Sequence, residues 1–299
     1  MKPKTRFQPS RPARRPSPPQ LLRVSVVRYL NTAPLVWGLD RGPERKRYRL
    51  SFTVPAACAE ALRTGAAEVG IVPSIEYQRI PNLKIIPGIS VASEQQVQSV
   101  LLVSRGPARK AKKVALDTSS RTSVALTKIL FARHWHREPD YAEAQPDLKA
   151  MLAAADAALL IGDPALRFTL RSRGPQGEEW AREENLHIYD LAEEWARLTN
   201  LPFVFAFWAV RGDRVRDPRQ RQQLTHSFQR ARDLGLEHLP EIAHQAAVEL
   251  GLPGGQLERY LRTAIQYRLD ARHQAGLEYF FKYAHELGLI EQVRPLEFL

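Results

Sequence analysis

Four stretches of the chain combine polar side chains with backbone breaks of the kind that hold a ligand. The first is Asp117–Ser123 (DTSSRTS), where Ser and Thr residues and Arg121 crowd onto the predicted start of a helix. Such a start offers free N–H groups and the positive end of the helix dipole, a natural place for a carboxylate or phosphate. Capping explains one or two hydroxyls there, fewer than the run supplies. The second is Tyr29–Leu35 (YLNTAPL), after a short strand, where Asn31 brings an amide donor and acceptor to a loop-to-helix junction. Capping of the following helix is the competing role for Asn31. The third is Gln98-Ser99, at the entry to an apolar strand, where a plain strand-edge serine is the alternative. The fourth is Gly162-Asp163, after a buried strand. Glycine lets backbone approach a ligand closely, and Asp163 serves either a ligand or the cap of the next turn.

Other chemistries are not encoded. His134 and His136 stand two residues apart, which does not put both rings on one helix face. Glu241 and His244 have the i, i+3 spacing of a helical ligand pair but no matching second pair. Cys58 is the only cysteine, so neither an intrachain disulfide nor a cysteine metal site is expected. There is no G-x-G-x-x-G, no phosphate-binding P-loop and no G-x-S-x-G. The expectation is a site without metal or cofactor.

The elements that must carry these loops read as strand, helix, strand. Arg23–Arg28, Arg49–Val54, Glu68–Val72, Leu83–Ile89 and Ser99–Val103 are predicted strands, with helical segments at Leu35–Leu39 and Ala56–Arg63 and a short helix at Pro73-Ser74. The rhythm repeats with strands Lys113–Leu116, Ala157–Ile161, Leu186–Tyr189 and Pro202–Val210 and helices Val124–Trp135, Pro146–Leu152 and Leu191–Leu198. Glu178–Asn185 reads as charged and exposed. Beyond Arg211 only helical periodicity remains. Alternation of this kind implies an α/β fold with mainly parallel sheet, and two such units imply two lobes with a ligand cleft at the strand ends.

Composition sets the outer bounds. The 299 residues are 44% hydrophobic and 25% charged, ordinary globular values that exclude a wholly disordered chain. No apolar run is long enough to cross a membrane as a helix. The net charge is +12, and Lys2, Lys4, Arg6, Arg11, Arg14 and Arg15 supply half of it. Residues 1–20 also hold six prolines and no acid, so a disordered basic tail is expected there, with no secretory signal. The remaining excess is mild: a bias toward anionic ligands rather than a nucleic-acid footprint.

Taken in order, the motifs carry a resemblance. Val27–Leu35 (VRYLNTAPL) resembles the opening motif of the chorismate dehydratase family, the first enzymes of the futalosine route to menaquinone. Val72–Tyr77 (VPSIEY), Ser99–Ser104 (SVLLVS), Ala115–Ser123 (ALDTSSRTS), Leu159–Leu166 (LLIGDPAL) and Trp195–Ala206 (WARLTNLPFVFA) are similar to further family motifs, collinear from about Arg23 to Leu289. Arg28 replaces the usual Ser, and Asn200 stands where Gly is usual, asparagine being the next best residue for φ > 0.

The resemblance implies a two-lobed fold like type II periplasmic binding proteins: lobe one from 21–106 and 208–299, lobe two from 107–207. It implies a cytoplasmic hydro-lyase, monomeric or homodimeric, that needs no cofactor, membrane or nucleic acid and converts chorismate to 3-[(1-carboxyvinyl)oxy]benzoate. Asn31 and Ser99 are then expected to be catalytic. Tyr29, Thr32, Ser74, Arg121, Thr122, Ser123, Gly162 and Asp163 are expected to bind the dianionic substrate. A non-catalytic solute-binding protein or ligand sensor on the same fold is the alternative, because fold does not fix function. A later lyase of the same route shares the fold, but its motifs differ from the Tyr29–Thr32 opening here. Removal of residues 1–20 is expected to leave the rate of chorismate turnover unchanged; a large fall in a truncated protein of equal thermal midpoint would place the tail in the site.

Overall fold

The computed structural model describes residues 21–172 and 185–299. The expected basic tail (1–20) and most of the charged segment expected at Glu178–Asn185 lie outside the described residues.

Two five-stranded sheets share no strand. The first contains β1 (Leu22–Val27), β2 (Tyr48–Thr53), β3 (Val69–Pro73), β4 (Leu83–Ser93) and β10 (Phe203–Arg211), in the order β2-β1-β3-β10-β4. The second contains β5 (Val100–Ser104), β6 (Lys113–Asp117), β7 (Asp140–Ala144), β8 (Ala157–Ile161) and β9 (His187–Asp190), in the order β7-β6-β8-β5-β9. Both sheets are mixed rather than mainly parallel: β10 runs antiparallel to β3 and β4, and β5 runs antiparallel to β8 and β9. The chain changes sheets between Ser93 and Val100 and returns between Asp190 and Phe203. These exchanges come earlier than the divisions expected at 106/107 and 207/208. β5 follows β4 after a short turn and reads as its continuation, yet its wholly buried side chains suit the centre of the second sheet. β7 was not expected, because its polar, partly exposed residues lack strand alternation.

Helices cover both sheets: α1 (Ala33–Asp40), α2 (Pro55–Thr64), α3 (Ser74–Arg79), α4 (Arg121–Arg133), α5 (Leu148–Ala154), α6 (Gly162–Ser172) and α7 (Leu191–Thr199). Proline opens α2 and Gly65, at φ +75°, closes it, so local sequence fixes both ends. Asn200 closes α7 at φ +57°, the left-handed role expected of an Asn replacing Gly. After β10 come α8 (Pro218–Glu237), α9 (Leu239–Leu250), α10 (Gly254–Thr263) and α11 (Ala271–Glu286). The large core includes Trp195 of α7, Phe203, Phe205 and Trp208 of β10, and Phe280 and Phe281 of α11.

α8 lies so close to α1 that a Cβ at Gly235 would stand 1.8 Å from the Pro34 carbonyl oxygen, and one at Gly38 would stand 2.4 Å from the Ala231 Cα. These contacts are with backbone, which cannot rotate away. Gly235→Ala is therefore expected to cost about 1–3 kcal/mol or more of stability. A urea-unfolding midpoint equal to that of the parent would show that the two helices separate freely.

Candidate active site

The site is built where strand ends from the two sheets face each other. β1 runs into a 3₁₀ turn, Leu30–Thr32, before α1 begins. The Thr32 hydroxyl donates to the Val27 carbonyl at 2.6 Å and the Tyr29 carbonyl at 2.8 Å, so this buried residue holds the turn. From the second sheet, β8 turns at Gly162, φ +65°, directly into α6. The Tyr29 ring lies on that glycine; a Cβ there would meet ring carbons at 2.7–2.9 Å. The Leu30 N–H donates to Asp163 Oδ1 at 3.0 Å across the junction. Asp163 thus serves the facing turn, a partner that the sequence reading did not foresee.

β6 ends in the expected hydroxyl-rich turn. Asp117 accepts from the Ser119 N–H at 3.0 Å, and Ser120 caps α4 by accepting from the Ser123 N–H. The Tyr29 phenol lies 3.4 Å from Ser119 Oγ. Thr122 and Ser123 are buried in the first turn of α4. The Thr122 hydroxyl accepts the Ile75 N–H at 3.1 Å, while Ser123 Oγ donates to Ser120 Oγ at 3.1 Å. Ser74, wholly buried, donates to the Val204 carbonyl at 2.8 Å and lies 3.4 Å from Thr122 Oγ1. Arg121 turns aside to Glu76, a fully buried carboxylate that also binds Arg63 at 2.6 Å and Arg79 at 2.9 Å. The starts of α1, α3, α4 and α6 therefore meet in one place, and several hydroxyls expected to hold a ligand also hold the frame.

Ser99 lies just before β5, 1% exposed, and its carbonyl accepts the Gly162 N–H at 2.8 Å. Its position is fixed by an uncommon backbone. Gln98 takes φ +61°, which costs a non-glycine residue energy unless its surroundings hold it. The Asp190 carboxylate does so, accepting the Val97 N–H at 3.1 Å and the Gln98 N–H at 2.7 Å while capping α7. Thr169 adds a hydrogen bond to the Gln98 carbonyl at 2.7 Å. Ser99 Oγ accepts a 2.8 Å hydrogen bond from Tyr260 of α10, and the Asn31 side chain stands beside the same phenol. Asn31 and Ser99, from different sheets, thus flank one phenol. Tyr260 and the neighbouring Tyr267, whose buried hydroxyl has no partner among the described residues, escaped sequence reasoning. Tyr260 sits on an amphipathic face with Leu257 and Leu261, a pattern that marks core and does not distinguish a phenol with a task.

No group of three or more His, Cys, Asp or Glu suited to a metal occurs among the described residues. A pocket of about 240 Å³ opens beside the junction between α1 and α9, lined by Arg28, Arg41, Asp40, Asp163 and Glu249 among others. It includes neither Asn31 nor Ser99, and its mixed charges favour no one ligand sign. The convergent donors of the junction are the better candidate. No described helix is long and apolar enough to cross a membrane.

Two mixed sheets with their strand ends turned toward a polar junction define a periplasmic-binding-protein-like α/β protein. Solved structures agree: a protein from Archaeoglobus fulgidus matches with a TM-score of 0.66 at 18% identity, covering 90% of this chain and 98% of that one. The periplasmic aliphatic sulphonate binding protein of Escherichia coli matches with a TM-score of 0.61 at 16% identity, covering 94% of each chain. Residues 22–286 match the family described as menaquinone biosynthesis, and the chain belongs to that family. It is 34% identical over 271 residues to the chorismate dehydratase of Thermus thermophilus, covering 89% of this chain and 95% of the relative.

Burial pushes the Asp163 carboxyl up from an ordinary 3.8 to about 6, against the pull of the Leu30 N–H. The folded chain therefore holds this proton more tightly than the unfolded chain. The stability it contributes is complete below 3.8 and is lost as pH rises through about 6. Asp163→Asn keeps an oxygen for Leu30 and has no charge to bury. Its urea midpoint relative to the parent should rise between these two pH values and level off above them; a pH-independent difference would contradict the assignment.

Proposed function

We propose that this chain is a chorismate dehydratase. One observation carries the reading: Asn31 and Ser99, the residues expected to be catalytic, approach a single phenol from opposite sheets. The family and the Thermus relative set the reaction class. The chemistry suits a site without cofactor. The hydrogen on C3 of chorismate is vinylogous to the ring carboxylate, so its removal gives a delocalised dienolate. The C4–O bond then breaks, and hydroxide leaves with the transferred proton as water. The aromatic ring of 3-[(1-carboxyvinyl)oxy]benzoate supplies the driving force.

The substrate is a dianion, so neutral donors serve it better than further carboxylates. The first turn of α4 offers backbone N–H groups and the positive dipole end for one carboxylate, beside Thr122 and Ser123. Tyr29 and the Gly162 backbone flank the other side of the junction. Thr32, Ser74 and Arg121 act by shaping these walls through the bonds described above. The nearest acids, Glu76, Asp117 and Asp163, are each held by other protein groups. Substrate-assisted catalysis follows, with the enolpyruvyl carboxylate taking the C3 proton. Asn31 orients that carboxylate or holds the departing hydroxyl, and Ser99 hydrogen-bonds the reacting end. Orientation of this kind lowers a barrier by about 7–11 kcal/mol in well-aligned intramolecular cases. A cytoplasmic location, where biosynthetic substrates are made, goes with this reading.

Incubation of the purified protein with chorismate, with the product followed by ultraviolet absorbance and mass, tests the activity. Binding without turnover would favour a solute-binding role. Asn31→Ala and Ser99→Ala are expected to lower kcat far more than they raise KM. Thr122→Ala and Ser123→Ala should weaken binding roughly 10- to 100-fold if each hydroxyl reaches a carboxylate. Should Glu76→Gln, Asp117→Asn or Asp163→Asn abolish turnover in a folded protein that still binds chorismate, that acid is the base.

A further inference from the structure

Tyr260 comes from outside every motif that carries the family resemblance, yet it is the residue through which Asn31 and Ser99 meet. It projects from α10, and only 2% of its surface is exposed. Its O–H donates to Ser99 Oγ at 2.8 Å, and the Asn31 amide stands beside the phenol. With the phenol proton committed to Ser99, the phenol oxygen has only acceptor capacity left for an amide N–H. The hydrogen bond therefore has a direction, from Tyr260 to Ser99.

That direction decides what Ser99 presents. Its oxygen already accepts one proton from Tyr260, so its own proton points elsewhere. The acceptor it finds is the Val97 carbonyl at 3.4 Å, at the long limit of hydrogen bonding. A substrate oxygen in the junction would offer a better acceptor, and donation to it would be strengthened by the polarised chain behind it. Burial, with Asp163 and Asp190 nearby, also pushes the Tyr260 phenol far above its ordinary range, so its proton stays in place.

We propose that Tyr260 is a positioning residue for the dehydration, fixing the Ser99 hydroxyl as a donor toward substrate and anchoring the Asn31 amide beside it. The inference rests on the roles given to Asn31 and Ser99 above. Tyr260→Phe removes the phenol oxygen and keeps the ring that packs with Leu257 and Leu261. It is expected to lower kcat about 10- to 100-fold, to change KM less than about threefold and to leave the thermal midpoint near that of the parent. In a Ser99→Ala background the same change should cost less than about threefold, because the two residues act through one hydrogen bond. If Tyr260→Phe does not fold, 4-aminophenylalanine at position 260 restores a donor on a similar ring and should restore most of the turnover. Full activity in Tyr260→Phe, or losses that multiply in the double variant, would overturn the proposal while leaving the dehydratase reading intact. Full activity in Ser99→Ala would remove the Ser99 assignment on which the proposal rests.

Discussion

A buried polar group costs free energy unless it finds a partner, and the junction between the two sheets gathers several such groups. The sheets share no strand, so no backbone ladder crosses between them. Beside an apolar core that runs through both, hydrogen bonds cross from Leu30 to Asp163, Ala56 to Ser119, Ile75 to Thr122 and Tyr260 to Ser99. Each of these bonds pairs at least one group that would otherwise be stranded near a strand end or a helix start. The site exists because strand-end geometry gathers donors, and it is specific because most of those donors are already committed to one another. What remains for a ligand is a small, directed set.

Much of this arrangement was legible in the chain. The hydroxyl run at Asp117–Ser123 does open a helix, and the proline and glycine around α2 do mark its ends. Asn200 adopts the left-handed backbone that its place in the motif requires. Such features are local: a capping side chain or a φ value is decided within a few residues. Sheet membership is not local. β5 has the same apolar pattern whichever sheet receives it, and nothing in its residues records that its partners are β8 and β9.

The division of labour among the site residues was equally hidden. Nothing in the sequence showed which protein groups the expected ligand residues hold: Thr32 its own turn, Ser74 the backbone of β10, and Arg121 Glu76. A hydroxyl at a helix start has the same appearance on paper whether it faces a substrate or a neighbouring N–H. The backbone of Gln98 and the phenol of Tyr260 carried no signal at all, since glutamine is rarely found at positive φ and tyrosine on an apolar helix face is ordinary core. These residues matter through partners far away in sequence, which only the assembled sheets bring near.

The carboxylate of Glu76 bears on how two lobes of this kind part. Two of its three guanidinium partners, Arg63 and Arg79, come from α2 and α3, on the same sheet as Glu76 itself, and only Arg121 reaches over from α4. Drawing the sheets apart would take away one guanidinium and leave two. The charge would never be abandoned in a dry interior, and Arg121, already partly in water, would simply exchange a carboxylate for solvent. A three-armed anchor with two arms on one shore works as a mooring: it can yield on one side without letting go, so this cluster on its own ties the two lobes together only lightly while holding α2 to α3 firmly.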